Sequence, residues 1–237
     1  GEIVMITKEG IQSIHEVEQT ITSTCAFEYI YFARPDSKMD GIDIYKARER
    51  AGEILANKHP VEADVVTGVP DSGIPSAVGY SRASGIPYEI GLVKNKYIGR
   101  TFIAPTQELR EHSVHVKMNA LKANVQGKRI VLIDDSIVRG TTSKRLITLL
   151  KEAGAKEVHL RISSPQVQYP CYFGIDTPYR SDLMASHNSI EQMKQLIGAD
   201  SLEFLSTDEL IESLGGTNRF CIGCFSGVYP LSTPVGI

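Results

Sequence analysis

Two adjacent carboxylates, Asp134 and Asp135, open the stretch of this chain whose residue types are best suited to chemistry. They follow residues 130–133, four apolar residues in a row that are typical of a short buried strand of a parallel sheet. A turn rich in Ser, Gly and Thr comes next, and residues 143–150 then have the apolar spacing of a helix. Backbone N–H groups and hydroxyls at the start of a helix bind phosphate, because the helix dipole favours negative charge there. We call this turn the phosphate loop, and it consists of Ser136, Ile137, Val138, Arg139, Gly140, Thr141 and Thr142.

The two carboxylates are suited to a different task from the loop. Asp134 and Asp135 are too near the expected anion to bind it, so we expect them to accept hydrogen bonds from ribose hydroxyls or to orient Mg²⁺. Gly140 would let the backbone come close to the ligand. The alternative is a strand, turn and helix with two solvated aspartates. An isolated Asp-Asp pair would favour that alternative, but the full pattern is far more specific.

A second loop with the same placement lies earlier in the chain. Residues 64–69 read as a short strand that ends in a loop with two glycines and two prolines, and a helix is predicted from Pro75 to Ala83. A loop at the carboxyl end of a parallel strand faces the same crevice as Asp134. Its N–H groups, with Ser72 and Gly73, could hold a pyrophosphate. Asp71 belongs either to this site or to the helix as its N-cap, and the stretch alone favours neither.

Residues 94–117 are long, polar and basic, with little clear periodicity. A segment of this length inside a compact domain is usually functional or disordered. The functional interpretation is a lid that closes over an anionic substrate and brings Lys94, Tyr97 and Arg100 inward. The alternative is a solvated connection whose charges have no role.

The chain has four cysteines, and two of them are spaced as Cys-Ile-Gly-Cys. Structural disulfides are unexpected in a cytosolic chain. Four thiolates could instead surround one metal centre, and the alternative is two unpaired buried thiols and a chance pair. The cysteines are Cys25, Cys171, Cys221 and Cys224.

Composition limits the class of protein. The 237 residues carry a net charge of −3 and a hydrophobic content of 42%, which supports a real core. The sequence has no basic stripe for nucleic acid, no apolar run approaching a membrane span and no signal peptide, so we expect a cytoplasmic protein without nucleic-acid or membrane partners.

The elements that must position these residues alternate between strand and helix. That order indicates an α/β fold with an open parallel sheet. Strands are predicted at residues 1–6, 25–33, 88–93 and 157–162, and helices at residues 44–58, 188–197 and 206–214, with Ser189 or Asn188 as a cap.

Residues 131–142 resemble the phosphoribosyl pyrophosphate signature of type I phosphoribosyltransferases. The variant Ser-Ile-Val-Arg-Gly-Thr-Thr is similar to that of the glutamine phosphoribosylpyrophosphate amidotransferases, which begin purine synthesis. Residues 27–37, 69–73, 94–103 and 172–178 resemble further segments of that family in the same order, so that the resemblance spans roughly residues 2–230.

The resemblance implies the type I phosphoribosyltransferase fold, an open parallel sheet flanked by helices, with a flexible loop and a hood or C-terminal segment. It implies that ammonia displaces pyrophosphate from phosphoribosyl pyrophosphate to give phosphoribosylamine. Homo-oligomers and inhibition by purine nucleotides are further expectations. The implied Mg²⁺ ligands are Ser72, Asp134 and Asp135, and the implied catalytic residues are Lys94, Tyr97, Arg100, Asp134 and Asp135.

Some members of the family carry a four-iron iron–sulfur cluster on four cysteines, and the four cysteines of this chain look like those ligands. A zinc ion is the alternative, because four thiolates suit it too.

The family enzyme also opens with a glutaminase domain that has a cysteine nucleophile at its first residue. This chain begins with Gly1. We therefore expect residues 1–24 to be a linker and edge strand after an absent glutaminase domain, residues 25–237 to be the phosphoribosyltransferase domain with its cluster-binding segment, and ammonia to be the nitrogen source.

Three other functions compete with this interpretation. The first is a regulator that binds phosphoribosyl pyrophosphate without turnover, although no DNA-binding region or basic face is visible. The second is a phosphoribosyltransferase that uses a nucleobase, which would leave unexplained residues 27–37, which we call the aromatic segment, and the Cys221/Cys224 pair. The third is a folded but idle domain, which the sequence does not exclude.

Overall fold

The computed structural model of this protein describes residues 2–14, 22–95, 118–177, 179–217 and 219–233. A π-helix at Glu28–Phe32 and two 3-10 turns at Arg180–Asp182 and Met184–Ser186 complete the regular elements of these ranges. The strands are β1 (Ile3–Thr7), β2 (Gly10–Ile14), β3 (Thr24–Cys25), β4 (Lys38–Met39), β5 (Ile42–Asp43), β6 (Val65–Gly68), β7 (Leu92–Lys94), β8 (Met118–Ala120), β9 (Arg129–Asp134), β10 (Glu157–Ile162), β11 (Ser201–Phe204) and β12 (Phe220–Cys221). The helices are α1 (Ile44–Lys58), α2 (Ile74–Ser84), α3 (Lys122–Val125), α4 (Thr141–Glu152), α5 (Ile190–Ile197), α6 (Thr207–Ser213) and α7 (Gly223–Ser226).

The centre of the fold is a four-stranded parallel sheet in the order β11-β10-β9-β6. Strand β9 lies inside the sheet and is buried on both faces. Ile130 and Leu132 face α4 and α5, whereas Val131 and Ile133 face α1 and α2. A strand that is covered on both sides must be apolar throughout, which explains the unbroken run of residues 130–133. The predicted α/β fold with an open parallel sheet is confirmed.

Helices α1 and α2 pack closely because small residues lie at their contact. A Cβ atom added at Gly52 would lie 1.8 Å from the carbonyl oxygen of Ser76. A Cβ atom at Gly79 would lie 1.9 Å from the carbonyl oxygen of Glu49. Only glycine permits this approach of the two backbones. The predicted helix at residues 44–58 has the bounds of α1, and Asp43 accepts a hydrogen bond from the N–H of Lys46 as its N-cap.

The prediction of a strand over residues 25–33 is wrong beyond Cys25. The chain turns into a helix at residue 26, and Glu28–Phe32 is π-helical. The buried residues of this segment recur after three or four positions, which is the spacing of a helix. They are Ala26, Phe27, Tyr29 and Ile30. The aromatic side chains obscured this spacing because they also favour strands.

The smaller elements agree with the predictions only in part. Strand β1 forms as predicted, but it pairs with β2 in a hairpin and takes no part in the central sheet. The prediction of one strand over residues 88–93 is wrong, because the N–H of Gly91 bonds to the Thr67 hydroxyl and the chain then pairs β7 with β8. Strand β11 was not predicted. The predicted helices at residues 188–197 and 206–214 form as α5 and α6, with Ser189 and Ser206 as N-caps.

Among the helices that the structure describes, none is both long enough and apolar enough to cross a membrane. The division of the chain at residues 24 and 25 stays a prediction.

Candidate active site

Strand β9 delivers the acidic pair to the carboxyl edge of the sheet. Asp134 is its last residue, and both Asp134 and Asp135 are only 7% exposed. The N–H of Asp135 donates to Oδ1 of Asp134 over 2.9 Å. The hydroxyls of Ser136 and Ser72 donate to the two carboxylate oxygens of Asp135, each over 2.5 Å. The pair is therefore fixed in position by hydrogen bonds from both loops.

Burial sets the charge of this pair. Loss of water raises the pKa of Asp134 well above its usual range, and the neighbouring Asp135 charge raises it further. Burial also raises the pKa of Asp135, although the hydroxyls of Ser136 and Ser72 and the positive charge of Arg48 oppose that rise. A divalent cation or hydroxyl donors beside these carboxyls would stabilise their ionised forms.

The phosphate loop runs from the acidic pair to the start of α4. Ile137 is 2% exposed and fixes the loop to the core. Gly140 is the last residue before α4. Its φ angle is +76°, and glycine adopts this left-handed conformation without strain. Helix α4 is held from behind by Leu146 and Leu150, and its first residues, Thr141 and Thr142, line the cleft described next.

One cleft of about 360 Å³ collects most of the predicted binding residues. The loop after β6 forms its opposite wall, where the N–H of Val69 donates to the carbonyl of Ile133 over 2.8 Å. Sequence reasoning missed Tyr31, whose aromatic segment was read as a strand. The lining consists of Tyr31, Val69, Pro70, Ser72, Asp134, Asp135, Ser143 and the whole phosphate loop.

The other predicted residues of the second loop lie outside this lining. Gly73 packs against β9, since a Cβ atom there would lie 2.5 Å from the carbonyl oxygen of Ile133. Gly73 is itself the N-cap of α2, so the alternative of Asp71 as the N-cap is wrong. Asp71 instead pairs with Lys94, with Nζ and Oδ2 separated by 3.2 Å. Of the predicted lid residues, Tyr97 and Arg100 lie outside the described residues.

The four cysteines come together from distant parts of the chain. Cys25 and Cys221 are direct partners in the parallel pairing of β3 with β12. All four line one cavity of about 420 Å³. Burial and the other thiols raise the pKa of Cys224 to about 12, and burial raises the pKa of Cys25. In the described part of the chain, no three Cys, His, Asp or Glu side chains are arranged to hold a single metal ion.

An apolar pocket of about 270 Å³ separates the cysteine-lined cavity from the cleft. Tyr31, Ser136 and Val138 line both this pocket and the cleft. Phe32 and Cys224 line both this pocket and the cysteine-lined cavity. The apolar pocket therefore shares walls with each of the two candidate sites, whereas none of the described residues lines both the cleft and the cysteine-lined cavity.

Known proteins match nearly the whole of this chain. The amidophosphoribosyltransferase of Bacillus subtilis is 52% identical over 235 residues, which are 97% of this chain and 49% of that protein. That of Archaeoglobus fulgidus is 50% identical over 237 residues, 99% of this chain and 52% of the relative. The chain thus spans about half the length of these relatives.

Solved structures give the same result at the level of the fold. The structure of the allosteric regulatory enzyme of purine biosynthesis matches 99% of this chain and 52% of its own, with a TM-score of 0.88 and 50% identity. Glutamine phosphoribosylpyrophosphate amidotransferase from B. subtilis, complexed with ADP and GMP, matches 97% of this chain and 52% of its own, with a TM-score of 0.86 and 52% identity. The type I phosphoribosyltransferase fold is confirmed. Residues 42–163 match the phosphoribosyl transferase domain, and the chain belongs to that family, with amidophosphoribosyltransferases as its homologues.

Proposed function

We propose that this chain transfers ammonia to the anomeric carbon of phosphoribosyl pyrophosphate, releasing pyrophosphate and forming phosphoribosylamine for purine synthesis. The observation that carries the proposal is the hydrogen bond from Ser72 to Asp135. It joins the two loops that would bind opposite ends of the substrate. The shared name of the relatives, amidophosphoribosyltransferase, supports the same class of reaction.

The cleft is suited to a substrate that is anionic at both ends. The N–H groups of the phosphate loop at the start of α4 would bind the 5-phosphate, where the helix dipole adds to their attraction. The loop around Ser72 would bind the pyrophosphate. Asp134 and Asp135 lie between the two loops, where they would accept hydrogen bonds from the ribose hydroxyls.

The reaction needs positioning more than acid–base chemistry. As the bond from the anomeric carbon to the pyrophosphate oxygen breaks, positive charge develops on the ribose, and the buried carboxylates of Asp134 and Asp135 would stabilise it. Mg²⁺, held by Ser72, Asp134 and Asp135, would neutralise charge on the leaving pyrophosphate. Ammonia that arrives unprotonated needs no general base. It forms the new carbon–nitrogen bond with its own electron pair, and the resulting ammonium group then loses a proton to solvent water.

We also propose that the cysteine-lined cavity binds a four-iron iron–sulfur cluster. The four thiols surround one cavity and still do not form a single-ion site in the described residues. A zinc ion would need sulfur atoms within about 3.8 Å of one another, as 2.3 Å bonds in a tetrahedron require. A four-iron cluster is larger and takes four thiolates around a cage, and all four cysteines of this chain line this one cavity. Its role would be to join β3, β12, α7 and the loop at Cys171.

Metal analysis tests the cluster directly. We expect the chain purified under argon to contain about four iron atoms and four acid-labile sulfides. Cys221→Ser should lose both, whereas Leu231→Ala, which changes the same cavity without removing a thiol, should keep them. Stoichiometric zinc without sulfide would identify the metal as zinc. A wild-type chain that folds stably without any metal would contradict both the cluster and zinc.

Two finer expectations accompany the proposal. The related B. subtilis structure is described as a complex with ADP and GMP, which supports purine nucleotides as ligands of this chain. Assembly into a homo-oligomer is the other expectation. Sedimentation with and without each nucleotide would test both.

Pyrophosphate release tests the reaction. The anaerobically purified chain would be mixed with phosphoribosyl pyrophosphate and Mg²⁺, and then with ammonium at alkaline pH or with glutamine. We expect release with ammonium, none with glutamine, and at least a hundredfold loss in Asp134→Asn. Asp208→Asn is the matched control, because Asp208 is exposed on α6.

Each other outcome identifies a competing function. Release with glutamine alone would contradict ammonia as the nitrogen source. Release with a purine base in place of ammonium would favour the nucleobase-dependent transferase. Binding of phosphoribosyl pyrophosphate without any release would favour the regulator or the idle domain.

A further inference from the structure

A short segment that sequence analysis did not single out contacts three consecutive residues of the phosphate loop. The N–H of Met184 donates to the carbonyl of Val138 over 2.8 Å. The carboxylate of Asp182 accepts a hydrogen bond from Arg139 over 3.1 Å. The sulfur of Met184 lies against Gly140, where an added Cβ atom would be only 2.3 Å from it. We call residues 182–184 the brace.

The brace is itself firmly held. Leu183 is fully buried in the core formed with the aromatic segment. The carbonyl of Leu183 accepts a hydrogen bond from the Ser186 hydroxyl over 2.7 Å, and that of Met184 accepts one from the Asn188 side chain over 2.8 Å. A segment fixed on the core in this way can impose a position on the loop that it contacts.

The position of the loop matters because its binding groups are backbone groups. A backbone N–H group cannot swing toward a phosphate as a side chain can, so its direction is set by where the loop lies. A displacement of about 1 Å in an active site can lower the reaction rate about a hundredfold. Val138, Arg139 and Gly140 all line the cleft, so the brace acts on the part of the loop that faces the ligand.

We infer that Met184 and Asp182 are positioning residues that hold the phosphate loop in the conformation that binds the 5-phosphate. This inference rests on the proposed function. Neither side chain lines the cleft, so both act through the loop. The side chain of Met184 should contribute more than that of Asp182, because it packs directly against the backbone of Gly140. The Arg139–Asp182 pair is 56% and 40% exposed, and solvent screening weakens such pairs.

Two probes separate the two ends of the substrate. Ribose 5-phosphate reports on the phosphate loop, and pyrophosphate with Mg²⁺ reports on the loop around Ser72. By calorimetry, we expect Met184→Ala to weaken ribose 5-phosphate binding about tenfold and Asp182→Asn about two- to fivefold. Both variants should bind Mg²⁺-pyrophosphate within about twofold of the wild type. In turnover, the KM for phosphoribosyl pyrophosphate should rise more than kcat falls.

Two controls separate positioning from general destabilisation. Met184→Leu keeps most of the packing volume and should restore most of the ribose 5-phosphate affinity. Met193→Ala leaves a cavity in the core behind α4 and α5, so it should lower stability without the selective loss. If Met184→Ala does not fold, the exposed Asp182→Asn still gives the selective loss.

The outcomes distinguish this inference from the proposed function. Wild-type protein that binds neither probe would overturn the proposed function and the inference with it. Wild-type protein that binds both, together with brace variants that keep their ribose 5-phosphate affinity or lose both probes equally, would overturn the inference alone.

Discussion

The hydroxyl of Ser72 donates a hydrogen bond to Oδ2 of Asp135 over 2.5 Å, across 63 residues of sequence. This contact connects the loop after β6 with the end of β9, so the two walls of the cleft are fixed relative to each other. Asp135 also accepts from Ser136, which leaves its carboxylate held from both sides.

Removal of the Ser72 hydroxyl should weaken substrate binding. Ser72→Ala would remove a proposed ligand of Mg²⁺ and the bond that holds Asp135 against the second loop, and so we expect at least a tenfold weaker affinity for phosphoribosyl pyrophosphate with Mg²⁺, or about 1.4 kcal/mol. Titration calorimetry would measure it. Ser81→Ala is the control, since that hydroxyl donates to the carbonyl of Ile86 at the other end of α2. Equal affinities in Ser72→Ala and wild type would show that the contact has no part in binding.

Arg48 should be essential for the stability of the aromatic segment. Arg48 is 4% exposed, and its guanidinium donates to the carbonyls of Tyr29 and Ala33 over 2.8 and 2.9 Å. Arg48→Met would leave both carbonyls without this donor, so we expect the free energy of unfolding to fall by about 3–5 kcal/mol. Arg48→Lys should recover part of this, because one ammonium does not reproduce the planar fork.

Urea unfolding followed by circular dichroism would measure these losses. Arg50→Met is the matched control from the same helix, because Arg50 donates to a single carbonyl, that of Ser213. We expect it to lower the free energy of unfolding by about 1 kcal/mol. A loss in Arg48→Met no larger than that of the control would refute the prediction.

The contact between α1 and α2 should not tolerate a methyl group. In an open helix, Gly→Ala would stabilise by about 1 kcal/mol through helix propensity. At Gly79 the new Cβ atom would meet the carbonyl of Glu49, so we expect Gly79→Ala to destabilise the protein by about 1–3 kcal/mol. Gly174→Ala meets nothing within 4 Å and should change stability by less than about 0.5 kcal/mol. Thermal unfolding that shows Gly79→Ala to be more stable than wild type would contradict the close contact.

Asp64 should make stability depend on pH in the acid range. Hydrogen bonds from the side chain and the N–H of Arg129 lower the pKa of Asp64 to about 2, below the unfolded value of about 3.9. The folded state therefore gains from the ionised carboxylate above about pH 4, and this gain is lost as the pH falls toward about 2. Asp64→Asn should be less stable than wild type at pH 7, with a difference that shrinks in that window.

Urea unfolding at a series of pH values would follow this difference. Glu62→Gln is the control, because Glu62 also faces Arg129, but at 3.4 Å and largely exposed. It should show a much smaller difference from wild type. A difference between Asp64→Asn and wild type that stays constant down to about pH 2 would exclude the proposed cause.

The sequence by itself determined those features of this protein that depend on residues close together in the chain. The strand β9, the phosphate loop and α4 follow one another without interruption, so their apolar periodicity and their glycine and hydroxyl residues suffice to predict a phosphate site beside an acidic pair. Helix α1 was predictable to its ends, because its apolar spacing and its Asp43 cap are both read from neighbouring residues. The order of strands and helices indicated the parallel sheet for the same reason.

Only the tertiary structure decided the relations between distant residues. The aromatic segment is a helix because Arg48 and the core at Phe225 and Phe220 accommodate it in that form, and its own residues favour a strand equally well. Ser72 meets Asp135, and the brace meets the phosphate loop, only after the sheet has brought its loops to one edge. The pairing of β3 with β12 places Cys25 beside Cys221, and Cys171 and Cys224 reach the same cavity from a loop and from α7. Such contacts depend on packing between segments far apart in the chain, and no pattern within one segment encodes them.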